Sequence, residues 1–272
     1  MLEDAPERAN AAVLEFDEVH KRFRSPSGEP LHVLDGISFA IRPNRFTALV
    51  GPSGCGKTTL MQLAAGLDVP TTGETRYMGR RVTEINQNVG YITQKPNLFP
   101  WYTMRQNVEF PLVLRGMAAE KRAEKLAEFL EIAQLEGFED HYPHQLSGGM
   151  QQRAAIIRTL IYSPSVVLMD EPFGSLDAQT RMLMQHDLLR LWDQQQTTVL
   201  FITHDLGEAV ALSDEIILLS KRPTRIKETI EVSIPRPRNI FEPYEMPEFV
   251  STYDRVWGLF KSEVVPVQRE VC

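Results

Sequence analysis

The sequence predicts an α/β fold, a parallel sheet with helices between its strands, and three stretches predict it. Phe46 to Val50, Ser165 to Met169 and Thr197 to Thr203 are short apolar runs of strand length, the pattern of strands buried on both faces. The first two break into GPSGCGKTT and DEP…SLD and then into helical patterns, while the third ends at His204. A chain of 272 residues is long enough to bury a sizeable core around such a sheet.

Composition narrows the class. A formal net charge of −7 gives no general electrostatic attraction for nucleic acid, so no nucleic-acid partner is expected. Two cysteines, Cys55 and Cys272, make no disulfide framework and point to a reducing compartment. No apolar run approaches the roughly 18 residues that span a bilayer. The acidic start MLEDAPERAN has no apolar segment, which argues against a secretory signal.

In chain order, Val13 to Val19 reads as a strand leading to Phe23, the residues from Ser25 to Pro30 as a turn, and Leu31 to Ile41 as a strand pair. A helix starts near Lys57 and ends at Gly66, a turn covers Pro70 to Glu74, and Thr75 to Met78 and Val89 to Thr93 are short strands. Met104 to Leu114 and Ala118 to Leu135 read as helices, the second with an apolar stripe at Leu126, Phe129, Leu130 and Ala133. A helix opening at Ser147 runs to about Tyr162, another follows Asp177 through Trp192, and Ile216 to Ser220 is the last clear strand. Beyond it Pro223, Pro235, Pro237, Pro243 and Pro247 break the chain into short extended pieces. A terminal helix from Pro247 then aligns Phe249, Tyr253, Val256, Trp257 and Phe260, a spacing for docking onto the body, with a partner as the alternative.

The chemistry gathers at the strand ends. Gly51-Pro52-Ser53-Gly54-Cys55-Gly56-Lys57-Thr58-Thr59 fits G-x-x-x-x-G-K-[ST] between a strand and a helix, a phosphate-binding loop. Its glycines let successive N–H groups face inward, and the helix start adds the positive end of its dipole. Lys57 can reach the β- and γ-phosphates of a nucleotide, and the Thr58 hydroxyl suits Mg2+. Cys55 reads as a small filler, with a reactive thiol as the alternative. Asp170 and Glu171 end a buried strand and point to different sides: Asp170 can hold the Mg2+ shell and Glu171 can polarise an attacking water. Solvated end-caps are the plainer reading of that acidic pair, which the phosphate loop outweighs. His204 can hydrogen-bond a γ-phosphate or be a structural strand-end histidine. Ser147 with Gly148 and Gly149 at a helix start is a second anion-binding arrangement. Phe23 is either a ring for stacking on adenine or a core aromatic. Leu98, Phe99 and Trp101, in a proline-bracketed loop, either pack back or meet a partner.

Taken together, GPSGCGKTT, Gln94, LSGGM, VVLMDEP, SLD and His204 resemble the phosphate loop, Q-loop, signature, Walker B, D-loop and switch histidine of ATP-binding cassette (ABC) transporter ATPases. The resemblance runs from about Leu14 to Ser220. It implies a P-loop NTPase (RecA-like) core with an antiparallel β subdomain and an inserted helical subdomain. Residues 13–220 would form the ATP-binding domain, with the helical subdomain roughly at 95–162, and 221–272 a Pro-rich extension with an amphipathic helix.

It also implies ATP and Mg2+ as ligands and two copies paired head to tail. Each ATP then lies between Gly51–Thr59 of one copy and Ser147, Gly148 and Gly149 of the other, with Asp177 in the D-loop beside it. Phe23 falls at the adenine-stacking position, and Gln94 would touch Mg2+ or the attacking water. The implied catalytic set is Lys57, Gln94, Glu171 and His204; the implied metal set is Thr58, Gln94 and Asp170. The family also implies two membrane-spanning permease subunits, which turns Leu98, Phe99 and Trp101 toward partner contact, and a place at the cytoplasmic face of the plasma (inner) membrane. Met150 departs from the commonest signature, which has Gln there.

NLFPWYTMRQNV, DEPFGSLDAQTR and LLSKRPTRI further resemble the nitrate, sulfonate and taurine importer branch, whose systems use a separate solute-binding protein; Ser175 and Thr224 stand where that branch usually has Ala and Gly. A soluble ABC-type ATPase acting on nucleic acid or ribosomes is the alternative, opposed by the single cassette. A P-loop kinase or GTPase is opposed by LSGG and by the lack of guanine-reading motifs.

Overall fold

A computed structural model describes residues 12–24, 28–174, 176–195 and 197–264. Positions 25–27 of the predicted turn, Ser175 and Cys272 lie outside them. The elements in chain order are β1 (Leu14–Arg24), β2 (Pro30–Ile41), β3 (Phe46–Val50), α1 (Lys57–Ala65), β4 (Thr72–Tyr77), β5 (Arg80–Arg81), β6 (Val89–Ile92), α2 (Met104–Leu114), α3 (Ala119–Ile132), α4 (Gly148–Leu160), β7 (Val166–Asp170), α5 (Ala178–Gln195), β8 (Thr198–Ile202), α6 (Leu206–Leu212), β9 (Glu215–Leu219), β10 (Ile226–Glu231) and α7 (Pro247–Val264). They fall into two compact units, one made of the residues up to Asn86 and from Thr198 onward, the other of Gln87–Thr197.

In the first unit β2, β1, β4 and β5 form an antiparallel sheet in that order. The same unit orders β10-β9-β3-β8, with β3 parallel to both β8 and β9, and β10 antiparallel to β9. All five residues of β3 and of β8 are buried, as an unbroken apolar run demands of a strand covered on both faces. Phe46 pairs with Val199 and Leu49 with Ile202, so continuing that register sets His204 opposite Gly51. Two chemically competent residues 153 positions apart in sequence thus leave the sheet at one edge, the carboxyl ends of parallel strands where α/β folds bind ligands.

In the second unit β6 and β7 pair in parallel, Tyr91 against Leu168 and Ile92 against Met169, which brings Gln94 opposite Glu171. Helix α2 packs on α4 and on α3. The α3 stripe is core as its spacing predicts: Leu126, Phe129, Leu130 and Ala133 are buried, and removing a Leu or Phe from such a site costs about 2–5 kcal/mol. Helix α2 begins where predicted because Thr103 caps it, its hydroxyl accepting from the Gln106 N–H while the Gln106 carboxamide accepts from the Thr103 N–H.

Several elements differ from expectation. The predicted strand pair at 31–41 is one twelve-residue strand, β2, because its partner β1 runs on to Arg24 and offers it a full-length edge. The predicted turn at 70–74 gives way to β4 at Thr72, which pairs with His20 on β1. Helix α6 is too short to show a period; its signal is Asp205, whose carboxylate accepts from the N–H groups of Gly207 and Glu208. Strand β10 lies inside the Pro-rich region, in a stretch bracketed by Pro223 and Pro235 but containing no proline.

The terminal helix α7 docks by half of its stripe. Phe249 and Val256 are buried and the helix packs on α6, whereas Trp257 stays 42% exposed. Lys227 secures its far end, donating to the Leu259 carbonyl (2.9 Å) and to Glu263 (2.8 Å), a cation placed at a helix C-terminus. Among the described residues no helix is long and apolar enough to cross a membrane.

Candidate functional site

The first unit carries the phosphate loop. Gly54 (φ +73°) and Gly56 (φ +114°) take the left-handed backbone that glycine adopts without strain. Gly56 is the N-cap of α1 and supplies no side-chain acceptor, so the first-turn N–H groups are left for an incoming anion. Lys57 is buried, and its ammonium donates to the carbonyls of Gly51 (2.7 Å) and Pro52 (3.1 Å), which holds the charge inside the loop. Thr58 is exposed on the first turn of α1 and Ser53 is exposed on the loop. Cys55 is the filler: it is 2% exposed, its sulfur lies 2.9 Å from where a Gly51 Cβ would stand, and burial pushes its thiol pKa up. Burial thus disfavours the deprotonated, reactive form.

His204 is exposed at the end of β8, and the turn that carries it is pinned on its far side. The Thr203 hydroxyl donates to Glu208 (2.5 Å) and accepts from the Asp205 N–H (3.0 Å). Phe23, near the end of β1 opposite Leu31, is 37% exposed, so it is not a core aromatic. The ammonium of Lys21 sits 5.0 Å from its ring centroid and is itself held by Asp68 (2.6 Å) and the Val69 carbonyl (2.7 Å), which braces the ring on one side.

The second unit carries the acids. Glu171 follows the last residue of β7 at φ +49°, a left-handed conformation unusual for a residue with a side chain and a mark of local strain. The Gln94 carboxamide donates to Glu171 Oε2 at 3.3 Å, so these two predicted residues meet. Asp170 has a neighbour that sequence reading missed: the Tyr91 hydroxyl donates to Asp170 Oδ2 at the long distance of 3.5 Å. Burial, then the Asp170 charge, pushes the Tyr91 phenol pKa up, so it stays a donor. Tyr91 pairs with Leu168, and Leu168 and Asp170 share a face of β7, a relation set by strand register and invisible in the sequence.

Ser147 is the N-cap of α4, its hydroxyl oxygen accepting from the Met150 N–H (3.2 Å), which leaves its proton to donate elsewhere. The two glycines after it have different reasons. A Cβ on Gly149 would stand 2.8 Å from Thr180 of α5, whereas one on Gly148 would meet nothing within 4 Å. Packing therefore explains Gly149, and Gly148 faces open space. Asp177 is exposed and caps α5 through the Thr180 N–H (3.0 Å), a bond that holds its carboxyl below the usual carboxylate range.

The proline-bracketed loop splits its aromatics. Phe99 packs back on Phe110 and Tyr102, and Asn107, fully buried, secures the loop by accepting from the Phe99 N–H and donating to the carbonyls of Phe99, Tyr102 and Thr103. Trp101 is left 67% exposed. The packing-back reading thus holds for Phe99, while Trp101 stays exposed.

A strand, a glycine-rich loop with a buried lysine, and a helix without a side-chain cap define a P-loop nucleotide-binding fold. Residues 34–174 match the family described as "ABC transporter". The chain is 44% identical over 239 residues to the uncharacterized ABC transporter ATP-binding protein MJ0412 of Methanocaldococcus jannaschii, covering 88% of each. It is 43% identical over 224 residues to the aliphatic sulfonates import ATP-binding protein SsuB of Bacillus cereus, covering 82% of this chain and 88% of that one. Among solved structures, the ATP-binding cassette MJ0796, a dimer in a post-hydrolysis state bound to ADP and Pi, superposes with a TM-score of 0.72 at 31% identity, covering 82% of this chain and all of that one. The chain belongs to the ABC transporter family. It binds ATP and is an ATPase that drives transport.

Proposed function

We propose that the chain is the energy-coupling subunit of an importer for a small anion of the sulfonate, nitrate or taurine kind, with aliphatic sulfonates foremost. The observation that carries this reading is the 43% identity over 224 residues to a sulfonate import ATP-binding protein. The strings NLFPWYTMRQNV and DEPFGSLDAQTR support the same branch. The ATP-binding domain spans 13–220, with its helical subdomain at roughly 95–162, and 221–272 is an extension.

In this reading the nest from Gly51 to Thr59 holds the ATP phosphates, with Lys57 on the β- and γ-phosphates. Glu171 accepts a proton from the attacking water, Gln94 orients that water and His204 donates to the γ-phosphate. Thr58, Gln94 and Asp170 each offer a hard oxygen donor of the kind Mg2+ takes, and Mg2+ held by them would neutralise charge on the phosphates. Ser147, Gly148 and Gly149 act on the nucleotide of a second copy with Asp177 beside them, supported by the dimeric state of the MJ0796 cassette. Two permease subunits receive the motion, Trp101 is offered to one of them, and a separate solute-binding protein selects the cargo. The chain then rides peripherally on the cytoplasmic face of the plasma (inner) membrane.

Phe23→Ala is expected to weaken ATP binding by about 1–3 kcal/mol, the worth of one base–aromatic stack, and Phe23→Tyr to bind normally. Titration with a fluorescent ATP analogue checks it; unchanged affinity in the alanine variant removes Phe23 from the site. The transport reading is tested by growth. A deletion strain should fail on an alkanesulfonate as sole sulfur source yet grow on sulfate, and the wild-type gene, but not one encoding Lys57→Ala, should restore it. Normal growth of the deletion strain on alkanesulfonates, with failure on a different nitrogen or sulfur source, contradicts the sulfonate assignment.

A further inference from the structure

The phosphate loop is held from behind by the turn between β9 and β10, which none of the nucleotide motifs includes. Thr224 on that turn is fully buried, and its hydroxyl donates to the Cys55 carbonyl. Its own N–H donates to the Val33 carbonyl (2.9 Å), and its carbonyl accepts from the Asp35 N–H (3.0 Å). Arg225 anchors the same turn with two hydrogen bonds to Asp35 Oδ2, at 2.9 and 2.6 Å. Two residues before Thr224, the guanidinium of Arg222 lies against the loop, 2.8 Å from where a Gly54 Cβ would stand.

The geometry follows from the peptide bond. In a trans peptide the C=O and the following N–H point in opposite directions. A hydroxyl that captures the Cys55 carbonyl from behind therefore aims the Gly56 N–H forward, toward the phosphates. Gly56, at φ +114°, has no Cβ to resist a flip of that peptide plane, so the restraint has to come from outside the loop.

We infer that Thr224, assisted by Arg222, is a positioning residue for ATP: it fixes the Cys55–Gly56 peptide so that the phosphate loop is set before the nucleotide arrives. The inference rests on the reading of Gly51 to Thr59 as the ATP-phosphate loop.

The test measures ATP affinity, KM and kcat in the full-length protein for Thr224→Val, Thr224→Ser and Thr224→Gly, with Lys57→Ala beside them. Thr224→Val keeps the shape and loses the donor. It should raise Kd and KM for ATP about three- to tenfold while kcat at saturation stays within about twofold, since net hydrogen-bond energies are of that size. Thr224→Ser should restore wild-type affinity. If the valine variant does not fold, Thr224→Gly carries the test with the same expected rise. Wild-type affinity in the valine or glycine variant, or a loss that serine does not rescue, overturns the inference. If Lys57→Ala also binds ATP normally, the loop assignment itself has failed. If it loses ATP while Thr224→Val and Thr224→Gly do not, only the role of Thr224 has.

Discussion

Replacing Glu171 with Gln is expected to lower steady-state ATP hydrolysis by about two to four orders of magnitude while ATP still binds, the size of effect a positioned general base contributes. Glutamine keeps the length and shape of the side chain and removes its capacity to take a proton. The residue directly follows β7 in a left-handed conformation, and its carboxylate accepts from Gln94 at 3.3 Å. Strain of this kind persists where the surroundings enforce it, and it gathers at sites with a task. A phosphate-release assay run beside a nucleotide-binding titration separates chemistry from affinity. Hydrolysis within about threefold of wild type, a far smaller loss than a missing base predicts, would transfer the role to another group.

Lys57→Ala is expected to do the reverse and abolish tight binding. Lys57 is buried, with its ammonium on the carbonyls of Gly51 and Pro52, so the charge is already in place before any phosphate arrives. Truncating a buried, hydrogen-bonded partner of a charged ligand costs about 2–5 kcal/mol, roughly thirtyfold or more in Kd. The two loop carbonyls lose their donor as well, which loosens the nest. Arginine is no substitute, because its planar fork does not fit a pocket shaped for one ammonium. Calorimetric titration with ATP, with a thermal melt to confirm folding, is the measurement. Affinity within about threefold of wild type contradicts the assignment of the loop.

Much of this was legible in the chain because its signals are local. The buried strands announce themselves as apolar runs, α2 begins at a capping box, and α1 ends at Gly66 as its pattern requires. The glycines, lysine and strand-end acids carry their chemistry in their identities. What stayed hidden is what tertiary structure alone creates. Tyr91 reaches Asp170 through the register of β6 on β7, and Gly149 is small because Thr180 of α5 approaches it. Thr224 meets the Cys55 carbonyl across 169 residues of sequence. Helix α6 escaped because seven residues show no period, and β10 because prolines crowd the sequence around it.

In the proposed reading one copy holds only part of what ATP hydrolysis needs, and Ser147, Gly148 and Gly149 of a second copy supply the rest. Sedimentation velocity of the Glu171→Gln protein, with and without ATP and Mg2+, tests it most directly. A single copy is expected without nucleotide and a species of twice the mass with it, and no such shift once Ser147→Arg is added, although that double variant still binds ATP. A wild-type protein that stays a single copy throughout while hydrolysing ATP at its full rate would rule out a site shared between two copies.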